Sequence, residues 1–265
     1  MLLALLVGWW FFLPDPLFRV PYSTVILDRD DEIMGMTVAE DGQFRVSGRG
    51  HLSAKYVAAL LCFEDKRFWA HEGVDPWAIA RALFLNVRSG SVVSGGSTLT
   101  MQVVRLSREN PPRTIPEKIL EMFLALRLEQ SFNKWEILNM YVDHAPFGGN
   151  IVGIQAAALK YFNRQPDELS WAEAALLAVL PNAPALMYPG RNMSGLKGKR
   201  DALLRELHEL GCFDRGDLEM AMAEPLPEKV YSPECITPHL LAKAYGQRKG
   251  QISRTFIDTR LQEQV

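Results

Sequence analysis

The chain has 265 residues, of which 48% are hydrophobic and 10% aromatic, and its 29 basic and 31 acidic residues give a formal net charge of −2. This composition predicts a packed globular protein and excludes a disordered chain. The balanced charge offers no general attraction for a nucleic-acid backbone, so we expect no nucleic-acid partner. Three dispersed cysteines indicate neither a zinc knuckle nor a disulfide framework, and we expect them to be small buried side chains.

The chain starts with an apolar segment. Residues 1–13 (MLLALLVGWWFFL) carry no charge, and residues 14–18 add further apolar groups. The segment is shorter than the roughly 20 residues of a spanning helix, and it lacks the basic start and cleavage site of a secretory signal. We predict that residues 1–18 form a membrane anchor, either complete or truncated; a buried core helix is the alternative.

A small β element and the first helices are predicted next. Short β-branched runs separated by Asp and Gly at residues 23–45 predict two or three strands, so residues 19–50 are assigned to a β-strand linker. Helical spacing predicts helices over 53–70 and 76–88, the second with Asp75 as its N-cap.

Capping signals predict the next helices. Residues 89–97 are rich in Gly and Ser and predict a mobile loop, followed by a helix from about Thr98. Thr114 and Glu117 have capping-box spacing and predict a helix to about residue 130. Asn133 and Glu136 predict a related cap for the helix that follows.

Helices are also predicted over 154–162, 170–180, 197–210 and 214–223. Residues 51–225 are therefore expected to form one mainly α-helical domain. The proline-rich residues 226–265 are predicted to be a linker with a strand from about Gln251.

Three groups of residues could carry chemistry. On a continuous helix Glu64, Phe68 and His71 would share one face, with Asp65 about 100° away. A carboxylate on that partly aromatic face suits proton abstraction. A salt-bridged acid on a helix face is the alternative.

The second group follows the glycines of the GGSTLTMQ segment. Glycine lets the backbone approach a ligand, and N–H groups and hydroxyls at a helix start suit an anionic group. Ser97, Thr98 and Gln102 are the candidates. A capped helix with a flexible entry is the alternative.

The third group is basic, with Arg105, Arg113 and Lys118 accompanied by Glu121. Such cations could stabilise a departing phosphate, with Glu121 orienting them or binding a divalent cation such as Mg²⁺. A solvated ion-pair face is the alternative.

The order and spacing of EDKRFWAHEG, GGSTLTMQ, EKILE and KWEILNMYVD resemble the four motifs of family 51 peptidoglycan glycosyltransferases. Those motifs are ED-x-x-F-x-x-H-x-G, G-x-S-T-x-x-Q, R-K-x-x-E and K-x-x-I-L-x-x-Y. The resemblance covers about residues 22–225 and is greatest to the penicillin-binding protein 1C group of class A penicillin-binding proteins. Two positions depart from the motifs, because Glu117 replaces an arginine and Asp143 replaces an asparagine.

The resemblance implies a lysozyme-like helical domain that polymerises lipid II into β-1,4-linked glycan strands with inversion, releasing polyprenyl pyrophosphate. It implies Glu64 as the base and Glu121 as the second catalytic residue, and Glu121 is also the candidate ligand for a divalent cation. The implied substrate-binding residues are Asp65, Phe68, His71, Ser97, Thr98, Gln102, Arg105, Arg113 and Lys118.

A lipid-linked substrate also implies a membrane. The resemblance implies a bacterial inner-membrane protein with a single N-terminal anchor, an extracytoplasmic catalytic domain, partners in a cell-wall synthesis complex, and a transpeptidase domain absent from this chain. Apolar residues near the loop are predicted to enter the bilayer, with core packing as the alternative: Trp77, Leu83, Phe84, Leu85, Val92 and Val93.

Other functions remain open at this point. A lysozyme-like hydrolase also uses glutamate, but it needs a proton donor where this chain has a basic group. A non-catalytic module that binds lipid II is the second alternative. Ser131 and Lys134 match the S-x-x-K pattern of transpeptidases, but no K-T-G triad follows, and we reject that function.

Overall fold

A computed structural model describes residues 13–48, 51–91, 95–182, 191–228, 230–231, 235 and 237–262. This part of the chain is mainly helical with a small β-sheet, as predicted. It divides into two compact units. The first combines the chain up to Arg19 with Leu61–His144, and the second combines Val20–Leu60 with Ala145–Val265. The predicted domain boundaries stay predictions.

The predicted anchor lies largely outside the described residues, which begin at Leu13. Among the helices that the structure describes, none is both long enough and apolar enough to cross a membrane.

The first unit is built from helices whose starts match the predicted caps. They are α2 (Pro76–Ser89), α3 (Leu99–Ser107), α4 (Ile115–Ser131) and α5 (Lys134–His144). Asp75 accepts the backbone N–H groups of Trp77 and Ala78, and Thr98 accepts that of Met101. Helix α3 packs against α4 and α5 through fully buried side chains that include Leu99, Met101, Leu128 and Ile137.

The helix predicted over 53–70 is shorter than expected. Helix α1 (Ala54–Glu64) ends at Glu64, and the chain continues in turns. In these turns Phe68 N–H donates to the carbonyl of Asp65, and Ala70 N–H donates to that of Arg67. The helix does not continue beyond Glu64 because the Asp65 side chain forms hydrogen bonds to other segments, as described below.

The second unit contains α6 (Ile154–Phe162), α7 (Trp171–Val179), α8 (Met193–Glu209) and α9 (Arg215–Ala223). Helix α7 is buried along its middle and packs against α8. Ser170 and Glu173 form the predicted capping box at the start of α7, each side chain bonding the other residue's backbone N–H.

The sheet has the strand order β2-β1-β3, from β1 (Val25–Leu27), β2 (Ile33–Met36) and β3 (Ile252–Arg254). Strand β1 is antiparallel to β2, and it is parallel to β3 with Val25 opposite Ile252. The predicted C-terminal strand therefore joins the N-terminal β element.

Two C-terminal helices of the second unit are not predicted from the sequence. Helix α10 (Pro238–Gln247) packs on β1 and β2, where Ala244 joins Ile26 and Met34 in a small core. The prolines around it favour the prediction of a linker, yet Pro238 occupies the first turn, where proline is tolerated. A short helix α11 (Thr259–Gln262) follows β3.

The cysteine prediction is only partly right. Cys62 is buried, whereas Cys212 and Cys235 are exposed, and all three are free thiols.

Candidate active site

Asp65 and His71 form the buried centre of the turn after α1. The Asp65 carboxylate accepts His71 Nε2 at 2.9 and 3.1 Å and the backbone N–H of Leu99 at 2.9 Å. The Nδ1 atom of His71 accepts the N–H of Gly73 at 3.2 Å. Both ring nitrogens are therefore hydrogen-bonded, and the Asp65 carboxylate links the first motif to the start of α3.

A lysine from the fourth motif supports the same turn. Lys134 Nζ donates to the carbonyl of His71 at 2.5 Å and to the Glu129 carboxylate at 2.6 Å. It also lies 4.6 Å from the centroid of the fully buried Phe68 ring. The sequence motifs do not predict a role for Glu129, although its partner Lys134 is the first residue of the fourth motif.

These contacts bear on the S-x-x-K pattern. The Ser131 hydroxyl bonds to Arg127, while Lys134 bonds to the first motif. Ser131 and Lys134 thus bond to different partners in the first unit; the rejection of a transpeptidase function rests on the sequence alone.

Glu64 is the last residue of α1 and is partly buried. Gln102 Nε2 donates to Glu64 Oε2 at 2.7 Å. The predicted helical face shared by Glu64, Phe68 and His71 is wrong, because α1 ends before Phe68. Glu64 faces the side-chain amide of Gln102 on α3 instead, and this hydrogen bond fixes the orientation of the candidate base.

The GGST segment lies close to the preceding helix. A Cβ at Gly96 would lie 2.9 Å from the Cα of Ile79, so a side chain there would force the backbone apart. The Thr98 hydroxyl donates to the carbonyl of Gly73 at 2.6 Å, and Ser97 accepts a hydrogen bond from Lys118 Nζ. Both predicted ligand hydroxyls thus bond within the first unit.

The basic residues gather between α3 and α4. Arg105 donates to the buried Glu121 at 3.1 Å and to the carbonyl of Pro111 at 2.7 Å. Burial lowers the pKa of Lys118; the charge of Glu121 opposes this shift, while those of Arg113 and Arg105 add to it. Repulsion among these cations favours an anionic ligand.

Arg113 differs from the other cations. It is exposed, and within the part of the chain that the structure describes it makes no hydrogen bond or ion pair. Its guanidinium group is therefore available to a ligand.

Residues 32–208 match the sequence model of the family described as Transglycosylase. The chain belongs to the transglycosylase family. The family predicted from the four motifs is thereby confirmed, and the motif residues described above lie within the matched region.

The chain is also similar to individual proteins. It is 36% identical over 253 residues to penicillin-binding protein 1C of Escherichia coli K12, covering 95% of this chain and 33% of the relative. It is 35% identical over 235 residues to penicillin-binding protein 1A of Aquifex aeolicus, covering 86% and 32%. The chain thus spans about a third of the length of these relatives.

A solved structure is similar as well. The crystal structure of penicillin-binding protein 1A from Haemophilus influenzae aligns with a TM-score of 0.45 and 18% identity, over 88% of this chain and 25% of that chain.

Glu117, the residue that departs from the transglycosylase motif, has an ion-pair partner. Glu117 forms an ion pair with Arg108, the C-cap residue of α3. Thr114 accepts the N–H of Glu117 at 3.3 Å, but its own N–H donates to the carbonyl of Pro112. Only half of the predicted capping box forms, so capping by the Glu117 side chain does not explain this residue.

The predicted ligand for a divalent cation in this cluster is Glu121, whose carboxylate accepts a hydrogen bond from Arg105. Mg²⁺ in proteins often uses one or two carboxylates together with substrate phosphates, so Glu121 could serve only with such a substrate. Among the residues that the structure describes, no group of three His, Cys, Asp or Glu side chains is arranged to hold a metal. The metal role of Glu121 stays a prediction, and no step below depends on it.

The first unit also exposes large apolar side chains. Trp77 is 71% exposed and Leu83 and Phe84 are each 64% exposed, with Leu85 at 38%. The core-packing alternative is therefore wrong for these four residues, while Val92 and Val93 lie outside the described residues. Helix α4 adds a second exposed apolar set: Ile115, Ile119, Phe123 and Leu126.

Proposed function

We propose that this transglycosylase domain is a peptidoglycan glycosyltransferase that polymerises lipid II into β-1,4-linked glycan strands. One observation carries the proposal. A hydrogen-bonded carboxylate, Glu64, lies in the same compact unit as a group of cations that outnumber their carboxylate partners. A base and an anion-binding group are what the transfer of a sugar from a pyrophosphate requires.

Glu64 acts as the general base. Its carboxylate takes the proton of the acceptor 4-hydroxyl as that oxygen attacks the anomeric carbon of the donor strand. A single displacement inverts that centre, so an α-linked donor gives a β-linked product. Gln102, which donates to Glu64 Oε2 at 2.7 Å, holds the carboxylate in place.

The leaving group requires positive charge. Polyprenyl pyrophosphate leaves as a stable anion, so it needs no proton donor. Arg105, Lys118 and Arg113 neutralise the developing charge, and the buried Glu121 holds Arg105 in position through the contact at 3.1 Å.

The exposed apolar side chains of α2 and α4 support a membrane location for the substrate. Several large apolar side chains exposed on the same helix are typical of a surface that binds an apolar partner, and the lipid tail of the substrate lies in a bilayer. We propose that this surface contacts the membrane on the extracytoplasmic side of the bacterial inner membrane. Anchoring by residues 1–18 and association with a cell-wall synthesis complex belong to the same proposal.

Polymerisation of labelled lipid II in detergent tests this function. The purified chain should form glycan, and Glu64→Gln should lower the rate by about 10²- to 10⁴-fold, the usual contribution of a general base. Glu219→Gln is the matched control, because Glu219 lies exposed on α9 in an ion pair with Arg215. That variant should keep the full rate.

Other results would favour the alternatives. Shortening of purified glycan strands would indicate a hydrolase, and binding of lipid II without polymerisation would indicate a non-catalytic module. An unchanged rate in Glu64→Gln would remove Glu64 from the mechanism.

A further inference from the structure

The acidic residue at the start of α4 poses an electrostatic problem. Glu117 directly precedes Lys118, one of the cations proposed to bind pyrophosphate. A carboxylate at this position lowers the local positive potential, and it stands where the family motif has an arginine. An uncompensated negative charge there would oppose binding of an anionic leaving group.

The structure supplies a cation against that charge. Arg108 pairs with Glu117 through its two terminal guanidinium nitrogens: Nη1 donates to Oε1, and Nη2 donates to Oε2 at 3.5 Å. The Glu117 side chain is 16% exposed and that of Arg108 is 31% exposed. A pair this sheltered is screened by salt less than a fully exposed one.

The helix ends favour this arrangement of charges. Arg108 caps the C-terminus of α3, where the helix dipole favours a cation. Glu117 lies in the first turn of α4, where the dipole favours an anion. One turn inward from each of these helix ends, Arg105 of α3 pairs with Glu121 of α4, so two ion pairs join the end of α3 to the start of α4.

We propose that Arg108 is a positioning residue for the pyrophosphate site, which acts by neutralising Glu117 rather than by touching the substrate. The inference rests on the proposed function. With Arg108 present, the described residues of this cluster hold four cations and two carboxylates; without it, three cations face the same two carboxylates. Lys118, Arg105 and Arg113 would then act beside an unpaired anion.

The test compares loss of the cation with loss of both charges. Arg108→Ala leaves Glu117 unpaired and should raise KM for lipid II by about tenfold, with a smaller change in kcat, because the repulsion acts on a bound anion. Arg108→Ala combined with Glu117→Gln removes both charges and should restore KM to within about threefold of the parent. Glu117→Gln alone leaves four cations and one carboxylate, so its KM should be at or below the parent value.

A purely structural role for the pair makes a different prediction. If the ion pair only links α3 to α4, the double variant lacks that link and should be at least as impaired as Arg108→Ala. That result would overturn the proposal, as would a parental KM in Arg108→Ala. Arg108→Lys keeps the charge and should stay near the parent, which keeps the test valid if the alanine variant folds poorly. Arg215→Ala, which breaks an exposed Arg–Glu pair on α9, is the matched control.

A binding measurement separates this inference from the proposed function. The dissociation constant of farnesyl pyrophosphate, measured by calorimetry in detergent, should follow the same order as KM across the variants. If the parent makes no glycan but binds this probe, the proposed function falls while the binding series still tests Arg108. Failure of the parent to bind the probe would overturn both.

Discussion

Each of the two units contains a group of buried or half-buried charges, and the two groups are balanced differently. In the second unit, Arg200 is 1% exposed; its guanidinium group donates to Asp201 at 2.9 Å and to the carbonyl of Glu224 at 2.7 Å. Lys197 also pairs with Asp201 at 2.6 Å. In the first unit, by contrast, Arg113 makes no hydrogen bond or ion pair within the described residues.

The difference indicates the purpose of each group. Around Arg200 every charge that we have described faces an opposite charge or a carbonyl, which is how proteins accommodate a buried ion. Around Lys118 four cations face two carboxylates, an excess that an anionic ligand can satisfy. The balanced group is therefore expected to stabilise the fold and the unbalanced group to bind substrate.

The largest expected effect is on the balanced group. Arg200→Ala leaves Asp201 with Lys197 as its remaining cation and leaves two backbone carbonyls without the donor that Arg200 supplies, so the free energy of unfolding should fall by about 3–5 kcal/mol. Urea unfolding measures this. Arg205→Ala, at an exposed position on the same helix α8, should change it by less than about 0.5 kcal/mol. A small loss for Arg200→Ala would contradict the assigned stabilising role.

The unbalanced group should respond in the opposite way. Arg113→Ala removes a charge-assisted contact to substrate of about 1.5–3 kcal/mol, so the rate at low lipid II concentration should fall roughly 10- to 100-fold. Its unfolding free energy should stay unchanged, because Arg113 is exposed. Loss of stability together with activity would make Arg113 part of the fold, and an unchanged rate would make it a solvated charge.

A third comparison uses pH. Burial lowers the pKa of Lys118, so this side chain loses its charge at a lower pH than an ordinary lysine, and substrate binding should weaken on the alkaline side. Lys118→Arg keeps the charge and should move the alkaline limb of kcat/KM to higher pH. If the alkaline limb of kcat/KM stays at the same pH in Lys118→Arg, a group other than Lys118 is responsible for it.

The effect of Lys118 on stability has the opposite sign. Because folding disfavours its charged form, the unfolded chain binds the proton more tightly, and the contribution of Lys118 to stability rises with pH. Activity and stability should therefore change in opposite directions on the alkaline side.

The smallest expected effect is in the second unit. Burial raises the pKa of Glu173, and the nearby charge of Glu224 adds to this shift, while the Ser170 bonds and Arg164 oppose it. The raised pKa means that the contribution of Glu173 to stability is full below 4.5 and is lost as pH rises through the folded pKa. Glu173→Gln keeps an acceptor for Ser170 and should flatten that decline. Unfolding free energies across pH, with Glu219→Gln as control, measure the difference.

Local signals in the sequence predicted the helices that begin at caps. Asp75, Thr98 and Ser170 each accept backbone N–H groups at the predicted helix starts, because capping depends on residues within one turn. The cations Arg105 and Lys118 could likewise be grouped from their spacing alone. The excess of cations over carboxylates in this segment follows from which residues it contains as well as from how the helices place them.

The failures involve partners that are distant in sequence. Helix α1 ends at Glu64, earlier than predicted, because Asp65 bonds to Leu99, 34 residues away. Helical spacing carries no information about that contact. The capping-box spacing predicts Glu117 as a capping residue, whereas its side chain pairs with Arg108 at the C-cap of the preceding helix. Helix α10 is not predicted because the prolines around it indicate a linker, although its apolar residues cover the sheet.

The turn that contains Asp65 and His71 affects how variants of this family should be interpreted. It contacts the start of α3 through Leu99, and a Cβ at Gly73 would lie 2.6 Å from the carbonyl oxygen of Ala125 in α4. Lys134 of α5 reaches the same turn. A genetic screen scored only by cell-wall synthesis would therefore group Asp65, His71 and Gly73 with Glu64, although we expect variants of the first three to lose the folded unit and variants of Glu64 to remain folded. Measuring protein abundance beside activity would sort such variants into two distinct classes of defect.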